Sequence, residues 1–201
     1  MLRSLLFIGF AILLSAATLR ADKPAEDASA EVYIYSAAAI VAGGCFWCVE
    51  SDFEKLKGVG DVVSGYTGGD LQNPTYRNHK GHIEAARIPF DPSIISYREL
   101  MDYFFRHIDP LDDGGQFCDR GYAYTTAIFY QGDEQKRDAE AAKAAAKAEL
   151  GQPVVTPLRP AAKFWIAEDY HQDYYKKNPV RYKFYRQSCG RDRRVKAVWG
   201  K

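Results

Sequence analysis

Two glycines and two closely spaced cysteines join an apolar run to a helical pattern early in the chain. The run Ala37–Ala42 predicts a buried strand, Gly43-Gly44 predicts a tight turn, and residues 46–57 predict a helix. Strand, turn and helix in this order place Cys45 at or just before a helix N-terminus. The free N–H groups and the dipole there favour an anion and lower cysteine pKa values. The sequence therefore predicts that Cys45 is a nucleophile with a lowered pKa.

The pair Cys45-x-x-Cys48 has three interpretations. A zinc site needs two more ligands, and Cys118 and Cys189 lack the paired spacing that is usual for one. A buried structural disulfide is the plainer alternative. A redox pair at a helix start is favoured, because a chain of this length does not need disulfides in order to fold.

The first residues have the pattern of an export signal. Arg3 precedes the apolar stretch 5–19, and small residues follow it. This predicts a signal peptide at 1–21, since a membrane span needs ~20 apolar residues. Residues 22–36 are polar and predict a linker, which leaves 37–201 as one catalytic domain. We expect a secreted or periplasmic protein, anchored to the membrane if the signal is not cleaved. A net charge of +1 does not favour nucleic acid.

The remaining pattern alternates strands and helices. It predicts strands at 59–66, 82–90, 122–130 and 154–156, and helices at 96–107, 133–150 and 167–177. The residues Ser96-Tyr97-Arg98-Glu99 form a predicted capping box. The order β-α-β-β-α-β-α-β predicts an α+β fold: a two-layer sandwich of a mostly antiparallel mixed sheet with helices. We expect a ferredoxin-like plait core with an extended C-terminal tail from Val180.

One carboxylate falls on an apolar strand face. In the strand 82–90, Glu84 alternates with Ala86, Ile88 and Phe90. A carboxyl group on such a face tends to stay protonated, which makes Glu84 a candidate general acid. The alternative is a half-exposed strand in which Glu84 points to solvent.

Ordered motifs along the chain carry a resemblance to a known family. They are Gly44-Cys45-Phe46-Trp47, Gly65-Tyr66-Thr67-Gly68-Gly69, Asn73-Pro74-Thr75-Tyr76, Gly81-His82-Ile83-Glu84-Ala85, His107-Ile108-Asp109-Pro110, Asp119-Arg120-Gly121 and Glu168-Asp169-Tyr170-His171-Gln172. In this order they resemble the A-type peptide methionine sulfoxide reductases. The resemblance covers roughly residues 40–179.

The resemblance implies a role for each matching position near the cysteine pair. Cys45 matches the nucleophile that attacks the sulfoxide sulfur, and Phe46 and Trp47 match the pocket for the substrate's S-methyl group. Glu84 matches the acid that protonates the sulfoxide oxygen.

Three further positions match substrate-binding residues of that family. Tyr76 and Tyr124 match two tyrosines that hydrogen-bond the sulfoxide oxygen. Asp119 matches an acidic residue thought to anchor the substrate backbone or nearby waters.

The resemblance also implies a reaction cycle without a metal or an organic cofactor. Attack on the S epimer of methionine sulfoxide, in oxidised proteins or peptides, leaves a sulfenic acid on Cys45. A second thiol closes a disulfide, and a thioredoxin-like dithiol restores the enzyme. Cys48, where the family most often has Gly, is the favoured resolving thiol, and Cys189 and Cys118 are the alternatives. A relay, or a structural bridge between Cys118 and Cys189, is compatible with that choice, and we expect a monomer.

Two rival functions remain at this point. A general thiol–disulfide oxidoreductase would use Cys45 and Cys48 and would not need Glu84. A secreted binding domain stapled by disulfides would have no free reactive thiol.

Overall fold

The computed structural model describes residues 37–200. The predicted signal peptide and linker, residues 1–36, lie outside the described residues. The strands are β1 (Ala37–Gly43), β2 (Val63–Thr67), β3 (Ile83–Phe90), β4 (Gly115–Gln116), β5 (Asp119–Arg120), β6 (Thr126–Tyr130), β7 (Leu158–Pro160) and β8 (Trp165–Ile166). The helices are α1 (Phe46–Phe53), α2 (Tyr97–Phe105), α3 (Gly132–Leu150), α4 (Tyr174–Lys177), α5 (Pro179–Ser188) and α6 (Arg191–Trp199).

Six strands form one sheet in the order β7-β6-β1-β3-β2-β8. Its four central strands, β6-β1-β3-β2, are antiparallel throughout, and with α1 and α2 they form the β-α-β-β-α-β unit of a ferredoxin-like plait. At one edge β7 pairs with β6 in parallel, and at the other β8 pairs with β2 antiparallel. The predicted α+β fold class, with a mostly antiparallel mixed sheet, is confirmed.

The main core lies between the sheet and its helices. Alternate residues of β1 and β3, such as Val41 and Ile88, pack against α1, α2 and α3 with no solvent exposure. Ser96 begins α2 with the predicted capping box, accepting from the Glu99 backbone N–H while its own N–H donates to the Glu99 carboxylate. The rigid plait therefore fixes where α1 begins and which face of β3 it covers.

The helix predicted to run from 46 to 57 ends at Phe53, and the strand predicted at 59–66 is Val63–Thr67. The reason is a competing side-chain contact: the Glu54 carboxylate accepts the Val62 backbone N–H at 2.9 Å. That contact folds the connection back on the helix end. Residues 54–58 form turns and a bend, and Val59 pairs with Phe90 in an isolated antiparallel bridge.

Two other strand predictions shift. The predicted strand 122–130 begins with a 3₁₀ turn at Tyr122–Tyr124, and only Thr126–Tyr130 pairs in the sheet. The predicted strand 154–156 is not one; the edge strand is β7. Thr156 instead bonds to the Thr126 hydroxyl at 2.9 Å, and the Val155 N–H donates to the Pro110 carbonyl.

The predicted helix 167–177 is helical only at α4. Asp173 has φ +54° and interrupts the helical path, and the Gln172 amide bonds to the backbone of Ser64 and Ala167. The segment before α4 is therefore held to the sheet edge as irregular chain.

The tail predicted to be extended from Val180 is helical instead. Pro179 begins α5, a position where its missing N–H costs nothing. Tyr182 of α5 and Trp199 of α6 are buried, and the Trp199 indole N–H donates to the Ile108 carbonyl at 3.2 Å. Burial of these rings favours helices that pack on the domain. Among the described residues, no helix is long and apolar enough to cross a membrane.

Candidate active site

A glycine turn delivers Cys45 to the start of α1, as predicted. Gly44 has φ +82°, and a Cβ there would lie 2.6 Å from the Cβ of Gln116, so the position requires glycine. Cys45 is the N-cap residue of α1, and its carbonyl accepts the Cys48 N–H at 3.1 Å. Its thiol is buried, with 6% of the residue exposed.

Glu84 lies under the same helix N-terminus. The first helical N–H, that of Phe46, donates to Glu84 Oε2 at 3.1 Å. Glu84 is only 1% exposed, so the solvent-facing alternative is wrong and the predicted apolar face is correct. Burial raises the pKa of Glu84 to about 8, so the carboxyl group is mostly protonated at neutral pH.

The predicted lowering of the Cys45 pKa is wrong. Burial raises the pKa of Cys45 well above its usual range, and Cys48 and Glu84 add to the effect. The hydrogen bond from Cys45 lowers the pKa of Cys48 to about 7, with help from the charges of Arg191 and Arg186. The two thiols share a proton, so the pair ionises near neutral pH and can supply a thiolate.

A cavity of about 50 Å³ opens over Cys45. Its lining contains seven residues singled out from the sequence and one that was not: Cys45, Phe46, Trp47, Tyr76, Glu84, Asp119, Tyr124 and Tyr185. Cys48 is not part of this lining and instead packs in a buried cluster with Cys45 and Tyr182. The structure therefore assembles the predicted nucleophile, acid, aromatic wall and phenols around one small space.

The aromatic wall of the cavity is fixed from behind. The Trp47 indole stacks on Tyr174 with ring centroids 3.7 Å apart, and its N–H donates to His171 Nδ1 at 3.1 Å. The His171 ring also lies 5.0 Å from that of Phe46. Burial lowers the pKa of His171, which keeps the ring neutral and able to accept this bond. His171 appeared in a motif, but no local pattern assigned it this task.

The hydroxyl groups of Tyr76 and Tyr124, which also line the cavity, are kept protonated and can donate hydrogen bonds. Tyr76 and Tyr124 hydrogen-bond to each other, and burial raises the pKa of both. Both hydroxyls therefore stay protonated. The Glu168 carboxylate accepts the Tyr76 backbone N–H at 2.9 Å and the Tyr66 hydroxyl at 3.0 Å, which ties the Tyr76 loop to the sheet.

Tyr185 is the lining residue that the sequence did not reveal. Its hydroxyl donates to the Asp119 carboxylate and also lies within hydrogen-bonding reach of the Cys45 sulfur. It comes from α5, in the region predicted as an extended tail. Nothing in that local sequence distinguishes it from its neighbouring aromatic residues.

The four cysteines form two separate pairs. Cys45 and Cys48 are free and buried, whereas Cys118 and Cys189 form a disulfide with Cα atoms 4.9 Å apart. Because Cys118 and Cys189 are bonded to each other, they do not complete a four-sulfur zinc set with the first pair.

Comparison with known proteins identifies the family. The family model described as "Peptide methionine sulfoxide reductase" matches residues 37–201. The chain belongs to the peptide methionine sulfoxide reductase family. Its reaction is the reduction of methionine sulfoxide to methionine.

Curated relatives and solved structures agree with this assignment. Peptide methionine sulfoxide reductase MsrA 2 of Rhizobium meliloti is 57% identical over 164 residues, covering 81% of this chain and 83% of that protein. MsrA 2 of Staphylococcus aureus (strain MW2) is 46% identical over 168 residues, covering 81% of this chain and 95% of that protein. Reduced Mxr1 from Saccharomyces cerevisiae has a TM-score of 0.68 at 29% identity, covering 72% of this chain and 86% of that one. Methionine sulfoxide reductase A of Corynebacterium diphtheriae has a TM-score of 0.65 at 28% identity, covering 71% of this chain and 75% of that one.

Proposed function

We propose that this reductase acts on the S epimer of methionine sulfoxide in proteins and peptides, with Cys45 as nucleophile and Glu84 as general acid. One observation carries the proposal: a buried, protonated carboxyl group, that of Glu84, and the Cys45 thiol line the same small cavity at the start of α1, and Cys45 is paired with the ionisable thiol of Cys48. A general thiol–disulfide oxidoreductase has no use for such an acid beside its nucleophile.

The first step transfers oxygen from substrate to enzyme. The Cys45 thiolate attacks the sulfoxide sulfur and forms an S–S bond, while Glu84 gives its proton to the sulfoxide oxygen. The protonated oxygen then passes from the substrate sulfur to the Cys45 sulfur as the S–S bond breaks, which leaves methionine and a Cys45 sulfenic acid. Tyr76 and Tyr124 donate hydrogen bonds to the oxygen as its negative charge grows. Phe46 and Trp47 hold the S-methyl group against their rings.

The second step removes that oxygen as water. Cys48 attacks the sulfenic sulfur, the S–OH bond breaks, and a Cys45–Cys48 disulfide forms. Support for Cys48 as the resolving thiol is the hydrogen bond that it accepts from Cys45 and its pKa of about 7. Cys118 and Cys189 are already bonded to each other.

An external dithiol then reduces the Cys45–Cys48 disulfide by thiol exchange. We propose a thioredoxin-like reductant. Yeast Mxr1, 23% identical and similar in fold with a TM-score of 0.51, has been solved in complex with Trx2.

We also propose that the enzyme works outside the cytosol, secreted or periplasmic. The signal-like pattern at residues 1–21 supports this location. The Cys118–Cys189 disulfide supports it as well, because structural disulfides persist mainly in oxidising compartments.

The experiment that tests the proposed reaction uses the two epimers of a blocked methionine sulfoxide with dithiothreitol as reductant. We expect the wild type to reduce the S epimer and to leave the R epimer unchanged. Equal turnover of both epimers, or inactivity on the S epimer, would refute the proposed specificity.

The cavity predicts a bell-shaped dependence of kcat/KM on pH. The rate rises through about pH 7 as the thiol pair loses a proton to form a thiolate. It falls above about pH 8 as Glu84 loses the proton that it must donate. A profile that keeps rising to pH 10 would show that Glu84 is not the acid.

Cys48→Ser is expected to separate chemistry from recycling. The pre-reduced variant should form one methionine per chain in a single turnover, because the nucleophile and acid remain. Its steady-state rate with a thioredoxin-like dithiol should fall by at least about tenfold, because the sulfenic acid has no adjacent thiol. An unchanged steady-state rate would assign resolution to another thiol.

A further inference from the structure

The Cys118–Cys189 disulfide lies beside the cavity but does not line it. Cys118 immediately precedes Asp119, and Cys189 follows Tyr185 by one helical turn as the C-cap of α5. The disulfide therefore joins the segment that carries Asp119 to the helix that carries Tyr185. Both of those side chains line the cavity.

Non-covalent contacts reinforce this junction between the Asp119 segment and α5. The Cys118 backbone N–H donates to Cys189 Sγ at 3.1 Å, and the same sulfur lies 3.8 Å from Asp119 Oδ2. Within the junction, the Tyr185 hydroxyl donates to Asp119. That hydroxyl is also the group that reaches the Cys45 sulfur, so the position of Asp119 decides where the phenol stands relative to the nucleophile.

The segment that carries Asp119 has little structure of its own. It is a two-stranded ribbon, β4 and β5, with two residues in each strand. Phe117 at its tip has φ +57°, a conformation that is unfavourable for a residue with a large side chain. Arg191 lies over the Phe117 ring at 4.7 Å, and Arg120 pairs with Asp112 at the base. A ribbon this short needs an external tie to hold its side chains in one place.

The partner helix is anchored on the opposite side. Arg186 of α5 pairs with the buried Asp52 of α1 at 2.9 Å, and Tyr182 is buried beside the two free cysteines. Helix α5 is thus fixed to the body of the domain. The disulfide ties the β4–β5 ribbon to this helix and so restricts the movement of the ribbon.

We propose that the Cys118–Cys189 disulfide is a positioning clamp for Asp119 and Tyr185, and that it takes no electrons in the reaction cycle. The proposal rests on the function proposed above. A displacement of ~1 Å can cost a catalytic contact up to about 100-fold in rate, so a covalent tie next to the cavity has a direct use. Opening the disulfide leaves the chemistry of Cys45 and Glu84 in place but loosens the Tyr185 hydroxyl.

The test is a double-mutant cycle between the disulfide and Tyr185. Single-turnover kcat/KM for a sulfoxide peptide is measured for wild type, Tyr185→Phe, Cys118→Ser/Cys189→Ser, and the triple variant. We expect about a tenfold loss for Tyr185→Phe and for the double serine variant, and less than about a twofold further loss when the two are combined. Additive losses would show that the disulfide stabilises the domain without positioning Tyr185.

A second measurement tests whether the Cys118–Cys189 pair supplies electrons to the reaction. It uses only the wild-type protein, so it does not depend on whether the variants fold. Fully reduced wild type, freed of reductant, is given excess sulfoxide peptide. One methionine per chain is expected if only Cys45 and Cys48 supply electrons, whereas two would overturn the proposal in favour of a relay. The same protein with the Cys118–Cys189 bond re-formed should react about tenfold faster at low substrate. Equal rates in the two forms would also overturn it, while absence of any methionine in both would refute the proposed function instead.

Discussion

Cys45→Ser is expected to abolish methionine sulfoxide reduction, with a residual rate more than about 10⁴-fold below that of the wild type. A serine hydroxyl does not ionise near neutral pH, and its oxygen cannot form the sulfur–sulfur bond that closes the cycle. Cys45 is the only thiol that lines the described cavity, so no neighbour replaces it there. The measurement is methionine formed from the S epimer with dithiothreitol in excess.

The variant should keep its fold, because serine is close in size to cysteine and the N-cap position of α1 favours it. A far-ultraviolet circular dichroism spectrum matching the wild type is the control. Turnover within tenfold of the wild type would place the nucleophile elsewhere.

Glu84→Gln is expected to lower kcat/KM by about 10²–10⁴-fold, the usual contribution of a general acid. Glutamine is nearly the same shape and its amide oxygen can still accept the Phe46 N–H, so the start of α1 is preserved. It has no proton to give to the sulfoxide oxygen. Single-turnover rates at several substrate concentrations measure the loss, which should fall mainly on the maximum rate.

The pH profile distinguishes a lost proton donor from a distorted cavity. In Glu84→Gln the fall above about pH 8 should disappear, because the group that titrates there is gone. The rise through about pH 7 should remain, because it belongs to the thiol pair. A variant that kept both limbs, at whatever rate, would contradict the assignment of Glu84 as the acid.

The predictions from sequence succeeded where a local pattern determines the geometry. Strand alternation placed Glu84 on the apolar face of β3, and the plait's order of elements followed from helical and strand periods. The two glycines before Cys45 required a tight turn, and Gly44 has the positive φ of such a turn. These properties depend on residues within a few positions of one another.

The remaining features depend on contacts between distant parts of the chain. Tyr185 reaches Asp119 across 66 residues, and His171 reaches Trp47 across 124. No periodicity in either segment of the sequence predicts these long-range contacts. The same limit explains the incorrect prediction for Cys45: a helix N-terminus is visible in the sequence, but the burial that raises the thiol's pKa is a property of the folded domain.

The two pairs of cysteines show the limit most clearly. Spacing nominated Cys45 and Cys48 as a pair, but it left Cys118 and Cys189 open as resolving thiols. Their disulfide follows from the packing of α5 beside the β4–β5 ribbon, which brings Cα atoms 71 residues apart to within 4.9 Å.

In the proposed cycle, Cys45 itself takes the sulfoxide oxygen. The most direct test is a thiol map of Cys48→Ser by mass spectrometry after one turnover on an S-sulfoxide peptide, with a sulfenic-acid trap present. We expect one methionine per chain and the trapped adduct on Cys45 alone. An adduct on another cysteine, or methionine formed with Cys45 still a free thiol, would contradict it.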